Sequence, residues 1–360
     1  MRKHLKFIAL ILLAALILWW FGRGLDWKEV SAAVKSSDWR LLTAAVLVIC
    51  VGYLIRAYRW RVLLAPLAPA RLREVFVATT MGFAAIFIFG RAGEVVRPVV
   101  LPLRDRRVRP AASFVTIAVE RICDMSLVAV LFALNLLWFP VPAERAAEFA
   151  NIRRSGLVLL VAIILGLLGL AWFKRRSGGA VKWVGKTLKR VPFMPKRVAD
   201  ALVHLLEQLA RALGIFVDAR EFLMTAAWSV SLWVVIGIAT WCVLHAFGLN
   251  FGAKQSLFVM CWGLVGSMVP TPGGSAGAFH ATTQYGLHTF LGVDANKAAA
   301  IAIIMHLVFF GPALFFGLYY FLRGEVSLSA VREMARPEAV EHAIEDEDLD
   351  VNRKPATETV

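Results

Sequence analysis

Charge is scarce in this sequence, and acidic charge scarcest. Only 18% of its 360 residues are Asp, Glu, Lys or Arg, with 25 acidic side chains against 40 basic ones. A soluble domain is about half apolar and about a quarter charged. An apolar content of 59% and a mean hydropathy of +0.68 therefore exclude a soluble enzyme and a fully disordered chain. Cysteine is also rare. Cys50, Cys123, Cys242 and Cys261 all lie inside apolar runs without CxxC or Cys/His ligand spacing, which excludes a disulfide scaffold and reads as small buried apolar side chains. There is no HExxH, Walker loop, GxSxG or dinucleotide fingerprint. Asp105 and the tail carboxylates are not arranged as metal ligands, so neither a cofactor nor a metal is expected. The 12 Trp and 24 Phe suit lipid-facing and packing positions rather than a stacking platform, and no nucleic-acid partner is expected.

What is present is a series of apolar runs of roughly membrane-spanning length. The first, Phe7–Phe21, follows Arg2, Lys3, His4 and Lys6 and ends in Trp19-Trp20-Phe21 rather than a small-residue cleavage site, so it reads as an uncleaved span. Others lie at Leu41–Ala57, Ser113–Phe139, Gly156–Phe173, Phe222–Phe247 and Lys297–Leu322. Two further stretches are broken. Val75–Leu101 is interrupted by Gly90-Arg91-Ala92-Gly93-Glu94 and Arg97-Pro98, and Gln255–Leu291 by Pro270-Thr271-Pro272-Gly273-Gly274. Proline removes a backbone donor and glycine exposes backbone, so such breaks cannot face lipid.

Loop charge sets the path. Arg56, Arg59, Arg61, Arg71 and Arg73 precede the first broken stretch, and Arg104, Arg106, Arg107 and Arg109 follow it. Lys174–Arg197 holds nine basic residues and no acid, the strongest cytoplasmic signal in the chain. The flanks of the second broken stretch, Gly248–Lys254 and Gly292–Asn296, carry little charge and fit the outer side. The expected fold is an all-α polytopic membrane protein with six full spans and two oppositely oriented re-entrant hairpins, at about 75–101 and 255–291. Two units of span, hairpin and span then form an inverted repeat; a count of ten spans, with each hairpin crossing fully, leaves the cytoplasmic ends unchanged. Residues 1–323 form the membrane domain. Within 174–220, apolar residues from Val198 to Phe216 recur at helical spacing, as in an amphipathic helix on the inner leaflet or one packed under the bundle. Residues 324–360 hold ten acidic and four basic side chains, a net of −6 that leaves +21 on the rest; disorder is expected there.

Ionisable groups at membrane depth cost several kcal/mol, about 2.5–3.5 on insertion scales, unless paired or hydrated. Here they fall in two places: Arg91, Glu94 and Arg97 at the first break, and Glu120, Arg121 and Asp124 in the third span. Glu94 and Arg97 share a helix face at spacing three, Glu120 and Asp124 at spacing four. Arg91 and Arg97 suit phosphate, because guanidinium is planar, permanently charged and rich in donors. Glu94, Glu120, Arg121 and Asp124 form a network that either orients them or holds the hairpin. At the second break, backbone N–H groups of Gly273, Gly274, Ser275, Ala276 and Gly277, with Thr271 and His280 nearby, either attract an anion or permit tight packing around the Pro270–Pro272 hinge. His280, His288 and His306 read first as satisfied buried histidines and second as proton relays.

The ordered elements Gly90-Arg-Ala-Gly-Glu-Val-Val-Arg97, Glu120-Arg-Ile-Cys-Asp124 and Pro270-Thr-Pro-Gly-Gly274 closely resemble the signatures of the lysylphosphatidylglycerol synthase transmembrane-region, or flippase-like domain, family over residues 5–323. In its best-known relatives this domain precedes further spans and an aminoacyl-transferase domain, and is implicated in moving aminoacylated phosphatidylglycerol between leaflets. The chain stops after the sixth span, so the resemblance implies lipid translocation without lysyl transfer. Many relatives carry an acid shortly after the PGG element where His280 stands here; if that acid contacts a cationic headgroup in them, the resemblance implies a different lipid. The expected function is binding and flipping of an anionic phospholipid or lipid-linked intermediate in a bacterial inner membrane, both termini cytoplasmic, downhill or ion-coupled. Two alternatives stand beside it: a non-transporting scaffold for a lipid-modifying enzyme partner, and a small-solute secondary transporter.

Overall fold

A computed structural model describes Trp19 and residues 22–138, 146–175, 219–269 and 273–323. Most of the first expected span, the 174–197 loop, the helix between 197 and 220, Pro270–Pro272 and the acidic tail lie outside the described residues, as does the Arg91 side chain.

The described residues are helical. A short amphipathic helix α1 (Trp27–Lys35) is capped by Asp26, whose carboxylate accepts from the Lys28 N–H at 2.8 Å. Long helices follow: α2 (Trp39–Leu64) and α3 (Leu72–Phe89). A 3-10 turn at Gly90–Val95 then leads into α4 (Val96–Arg104). Next come α5 (Pro110–Trp138), α6 (Ala146–Arg175) and α7 (Ala219–Ala246). The second broken stretch is α8 (Ala253–Ser267), α9 (Ala276–Tyr285) and a π turn at Gly286–Phe290, and α10 (Ala295–Leu322) closes the fold.

Among the described residues four helices are long and apolar enough to cross a membrane: α2, α3, α10 and the Leu223–Ala246 part of α7. Exposed Leu47, Val51, Val230, Val234, Phe315 and Leu318 mark their lipid-facing sides, since large apolar side chains on a bundle exterior need an apolar solvent.

Both broken stretches fold as helix, break, helix. In the first, α4 turns back along α3. Its two ends meet: Arg104 Nε donates to Glu74 Oε2 at 2.7 Å, and the Arg71 N–H donates to Asp105 Oδ2 at 3.0 Å. Gly90 adopts φ 65° with ψ −147°, a conformation closed to L side chains. Gly82 lets the arms close, because a Cβ there would lie 2.6 Å from Arg97 Cβ. In the second stretch the ends also meet, with the Phe258 and Phe290 rings 5.6 Å apart.

Contacts between the two halves are reciprocal. Helix α2 packs on α7, the α3 arm of the first hairpin packs on α10, and the α8 arm of the second packs on α5.

Candidate functional site

The site grows from α2. On this helix Ile49, Gly52, Tyr53, Arg59, Trp60 and Leu63 are buried at three- and four-residue steps, with Arg56 half-buried in the same phase, while Arg61 falls off it and is exposed. Arg59 is therefore carried into the bundle, 1% exposed. A charge there must be paired, and α5 supplies the partners. Arg59 Nη1 donates to Asp124 Oδ1 at 2.5 Å and Nη2 to Asp124 Oδ2 at 3.0 Å, with Glu120 Oε1 3.1 Å from Nη2.

Helix α4 approaches the same carboxylates from the other side. Arg97 donates through Nη1 and Nη2 to the two oxygens of Glu120 at 2.7 and 2.9 Å, and its guanidinium lies 4.1 Å from the centre of the Trp60 ring. The Trp60 indole N–H donates to Thr116 Oγ1 at 3.0 Å. Arg121 closes the cluster: its Nη2 lies 3.0 Å from Glu120 Oε1 and 3.2 Å from Asp124 Oδ2. Bidentate geometry on both carboxylates holds the groups in low dielectric.

Arg97, Glu120, Arg121 and Asp124 thus meet as one cluster, with Glu94 beside it on the wall of a cavity of about 110 Å³. That cavity is lined by Arg56, Arg121, Asp124 and Glu94 on one side, and by Ser267, Gly274 and Ser275 on the other. Arg56 also lines a second cavity of about 70 Å³, beside Tyr53 and Phe279. The Arg56 guanidinium sits over the Phe83 ring at 4.7 Å and makes no ion pair among the described residues.

The second break reaches the cavity beside α10, with Gly274 close to His306 and Phe310. Gly273, Gly274 and Ser275 all have positive φ, at 74°, 62° and 64°. Two of the break's expected donors are in use. The Gly274 N–H donates to the Ile86 carbonyl of α3 at 3.2 Å, and the Ala276 N–H to Gly273 at 3.1 Å. Ser275 Oγ donates back to Val269 at 2.6 Å. The second break therefore rests on the last turn of α3, just ahead of the first break. Gly277 and His280 are buried on α9. His280 does not line the cavity; its ring lies 5.1 Å from that of His306, whose Nε2 is 3.2 Å from the Gly274 carbonyl. His288 is set apart from them, its Nδ1 2.8 Å from the Val293 carbonyl.

Arg56 and Arg59 are the residues that sequence reasoning assigned to a cytoplasmic flank. Helix α2 runs seven residues past Ala57 to Leu64, so both belong to the buried cluster. The helical phase of Ile49, Gly52 and Tyr53 was the signal that points to them.

Chemically, four arginines (56, 59, 97, 121) face three carboxylates (94, 120, 124), so the cluster carries an excess positive charge. The 110 Å³ cavity beside Arg56 and Arg121 has room for several waters or one phosphate group, since one water occupies roughly 30 Å³ of liquid. Among the described residues no His, Cys, Asp or Glu group converges as metal ligands.

Helix breaks meeting at a charged cavity among spanning helices define a multi-pass membrane protein. The chain belongs to the lysylphosphatidylglycerol synthase TM region family, which matches residues 7–317. It is similar to glycosyltransferase AglD of Haloferax volcanii, 25% identical over 96% of this chain and 58% of that protein. It is also similar to a UPF0104 membrane protein of Pyrococcus horikoshii, 22% identical over 85% of this chain and 91% of that protein. The chain thus spans little more than half the length of AglD.

Proposed function

We propose that the chain binds a lipid with an anionic headgroup and carries that headgroup between leaflets. One observation supports this above others: Arg56, with no carboxylate at ion-pair distance among the described residues, and the partly exposed Arg121 face a cavity walled by both helix breaks. An arginine at membrane depth without a paired acid is costly, and a phosphate would supply the missing charge. Arg91, at the first break, is a further phosphate contact. Arg97, with both terminal nitrogens on Glu120, positions the carboxylates; Glu94, Glu120 and Asp124 orient the arginines. The Pro270–Gly277 break acts as hinge.

The architecture proposed is six spans with two oppositely oriented re-entrant hairpins, both termini cytoplasmic in the plasma membrane. Meeting ends within each hairpin favour entry and exit on one side. Helix α8 has 15 residues, about 22 Å at 1.5 Å per residue, short of the roughly 30 Å hydrocarbon core. The reciprocal packing of each hairpin on the last span of the other unit favours an inverted repeat.

Similarity to a protein named a glycosyltransferase favours a second reading, in which the domain holds a lipid for an enzyme partner without moving it. Mass spectrometry of lipid retained through purification tests the shared claim. Wild type should retain phosphate-charged lipid above its share in the membrane, and Arg56→Gln should lose that enrichment. Equal composition in both contradicts the proposal.

A further inference from the structure

A third concavity lies on the outside of the bundle, where α5, α7 and α8 meet. It measures about 380 Å³ and is lined by Leu127, Leu131, Val234, Gly237, Trp241 and Leu257, among other residues. Val234 and Trp241 are exposed on this face, so the groove opens to lipid. Along α7 it runs from Val230 to Trp241, a rise of about 16 Å, close to the roughly 15 Å of hydrocarbon in one leaflet.

Trp233 links groove and cavity. It lines both, is only 7% exposed, and its indole N–H has no hydrogen-bond partner among the described residues. It also stands midway along α7, level with the centre of the helix. From there the groove leads toward the α7–α8 connection, ending beside Ala253. A molecule reaching from one space into the other meets arginines at one end and a predominantly apolar wall at the other. Trp233 then serves as the step between them, since an indole offers an apolar body and a polar edge.

We infer that the α5–α7–α8 groove is the chain-binding subsite for the lipid whose anionic headgroup occupies the Arg56–Arg121 cavity. The inference rests on the functional reading above. Its occupant is an alkyl or prenyl chain of a phosphate-bearing lipid, lying in the leaflet on the α7–α8 side while the headgroup sits at mid-depth past Trp233. Shape supports a chain rather than a helix, because the groove is one leaflet long and Gly237 forms its floor. A Cβ added at Gly237 meets no atom within 4 Å, so the space above it is open.

The same fact supplies a clean test. Gly237→Phe fills the groove without a backbone clash, and Gly166→Phe, at another open and exposed glycine on α6, controls for added bulk. Wild type, both glycine variants and Arg56→Gln are reconstituted in phosphatidylcholine vesicles doped with a photoreactive probe, a diazirine near the end of one chain. The probes are phosphatidylglycerol and a polyprenyl monophosphate, to separate the two sources of phosphate, and phosphatidylcholine as the neutral comparison. Adducts are mapped by mass spectrometry. Labelling by at least one phosphate probe should concentrate on residues 230–241 and 253–257. It should fall about tenfold in Gly237→Phe and in Arg56→Gln, and remain in Gly166→Phe. Equal groove labelling by charged and neutral probes, or labelling untouched by Gly237→Phe, overturns the inference; with Arg56-dependent lipid enrichment intact, the functional reading survives. Labelling and enrichment both indifferent to Arg56 overturn the two together.

Discussion

Arg56 and Arg59 are three residues apart on one helix and do opposite work. Arg59 is bound by two carboxylates, so Arg59→Met leaves Glu120 and Asp124 undercompensated; breaking a buried pair this way costs about 3–5 kcal/mol. Unfolding in mixed micelles should show that loss, and Arg59→Met with Asp124→Leu should recover much of it. If the single variant is as stable as wild type, the cluster is not what holds α2 to α5. Arg56 contributes no ion pair among the described residues, so Arg56→Gln should leave stability within about 0.5 kcal/mol while abolishing selective lipid retention. The carboxylates of the cluster were legible in the sequence, because Glu120 and Asp124 interrupt an apolar run where charge is expensive. Arg59 was not, because an arginine at the end of an apolar run reads as a loop charge. Only its phase with Tyr53 and Gly52 separates it from the exposed Arg61.

The hairpins are the elements that build the site, and each depends on close approach of its arms. Gly82→Ala places a methyl against Arg97 and should cost about 1–3 kcal/mol through overpacking, with a lower thermal midpoint in detergent as the readout. At the membrane surface, Asp105 staples the base of the first hairpin by accepting from the Arg71 N–H and from Arg107. The Arg107 hydrogen bonds, aided by those backbone donors, hold its carboxyl down to about 2. A depressed folded-state pKa means its contribution is complete above the unfolded value of about 4 and lost as pH falls toward 2. Asp105→Asn should thus be less stable than wild type at neutral pH, and the gap should close between about pH 4 and 2. A gap constant across that range would rule the staple out. The breaks themselves were visible as Gly and Pro in apolar runs. Their meeting was not, since the Gly274–Ile86 bond joins residues far apart in the chain by tertiary packing alone.

At the scale of the molecule, the reciprocal packing of α3 on α10 and α8 on α5 surrounds one charged cavity with two broken helical stretches. The proposed topology places Arg73 and Arg106 on one side and Lys254 and Asn296 on the other. Single cysteines at these positions, on a background lacking the native four, should react with an impermeant maleimide in two groups of opposite sidedness. Reaction of all four from the same side would contradict it. On the proposed topology most of the basic excess belongs to loops, but Arg56, Arg59, Arg97 and Arg121 do not, and the proposed lipid translocation gives a reason to keep them inside. The most direct test is a leaflet-sidedness assay in proteoliposomes containing the full chain, with fluorescent lipids of neutral and anionic headgroup. Translocation should favour the anionic lipid and fall about tenfold or more in Arg56→Gln, with the fold intact. Equal rates for both lipids, or an Arg56→Gln rate matching wild type, would contradict it.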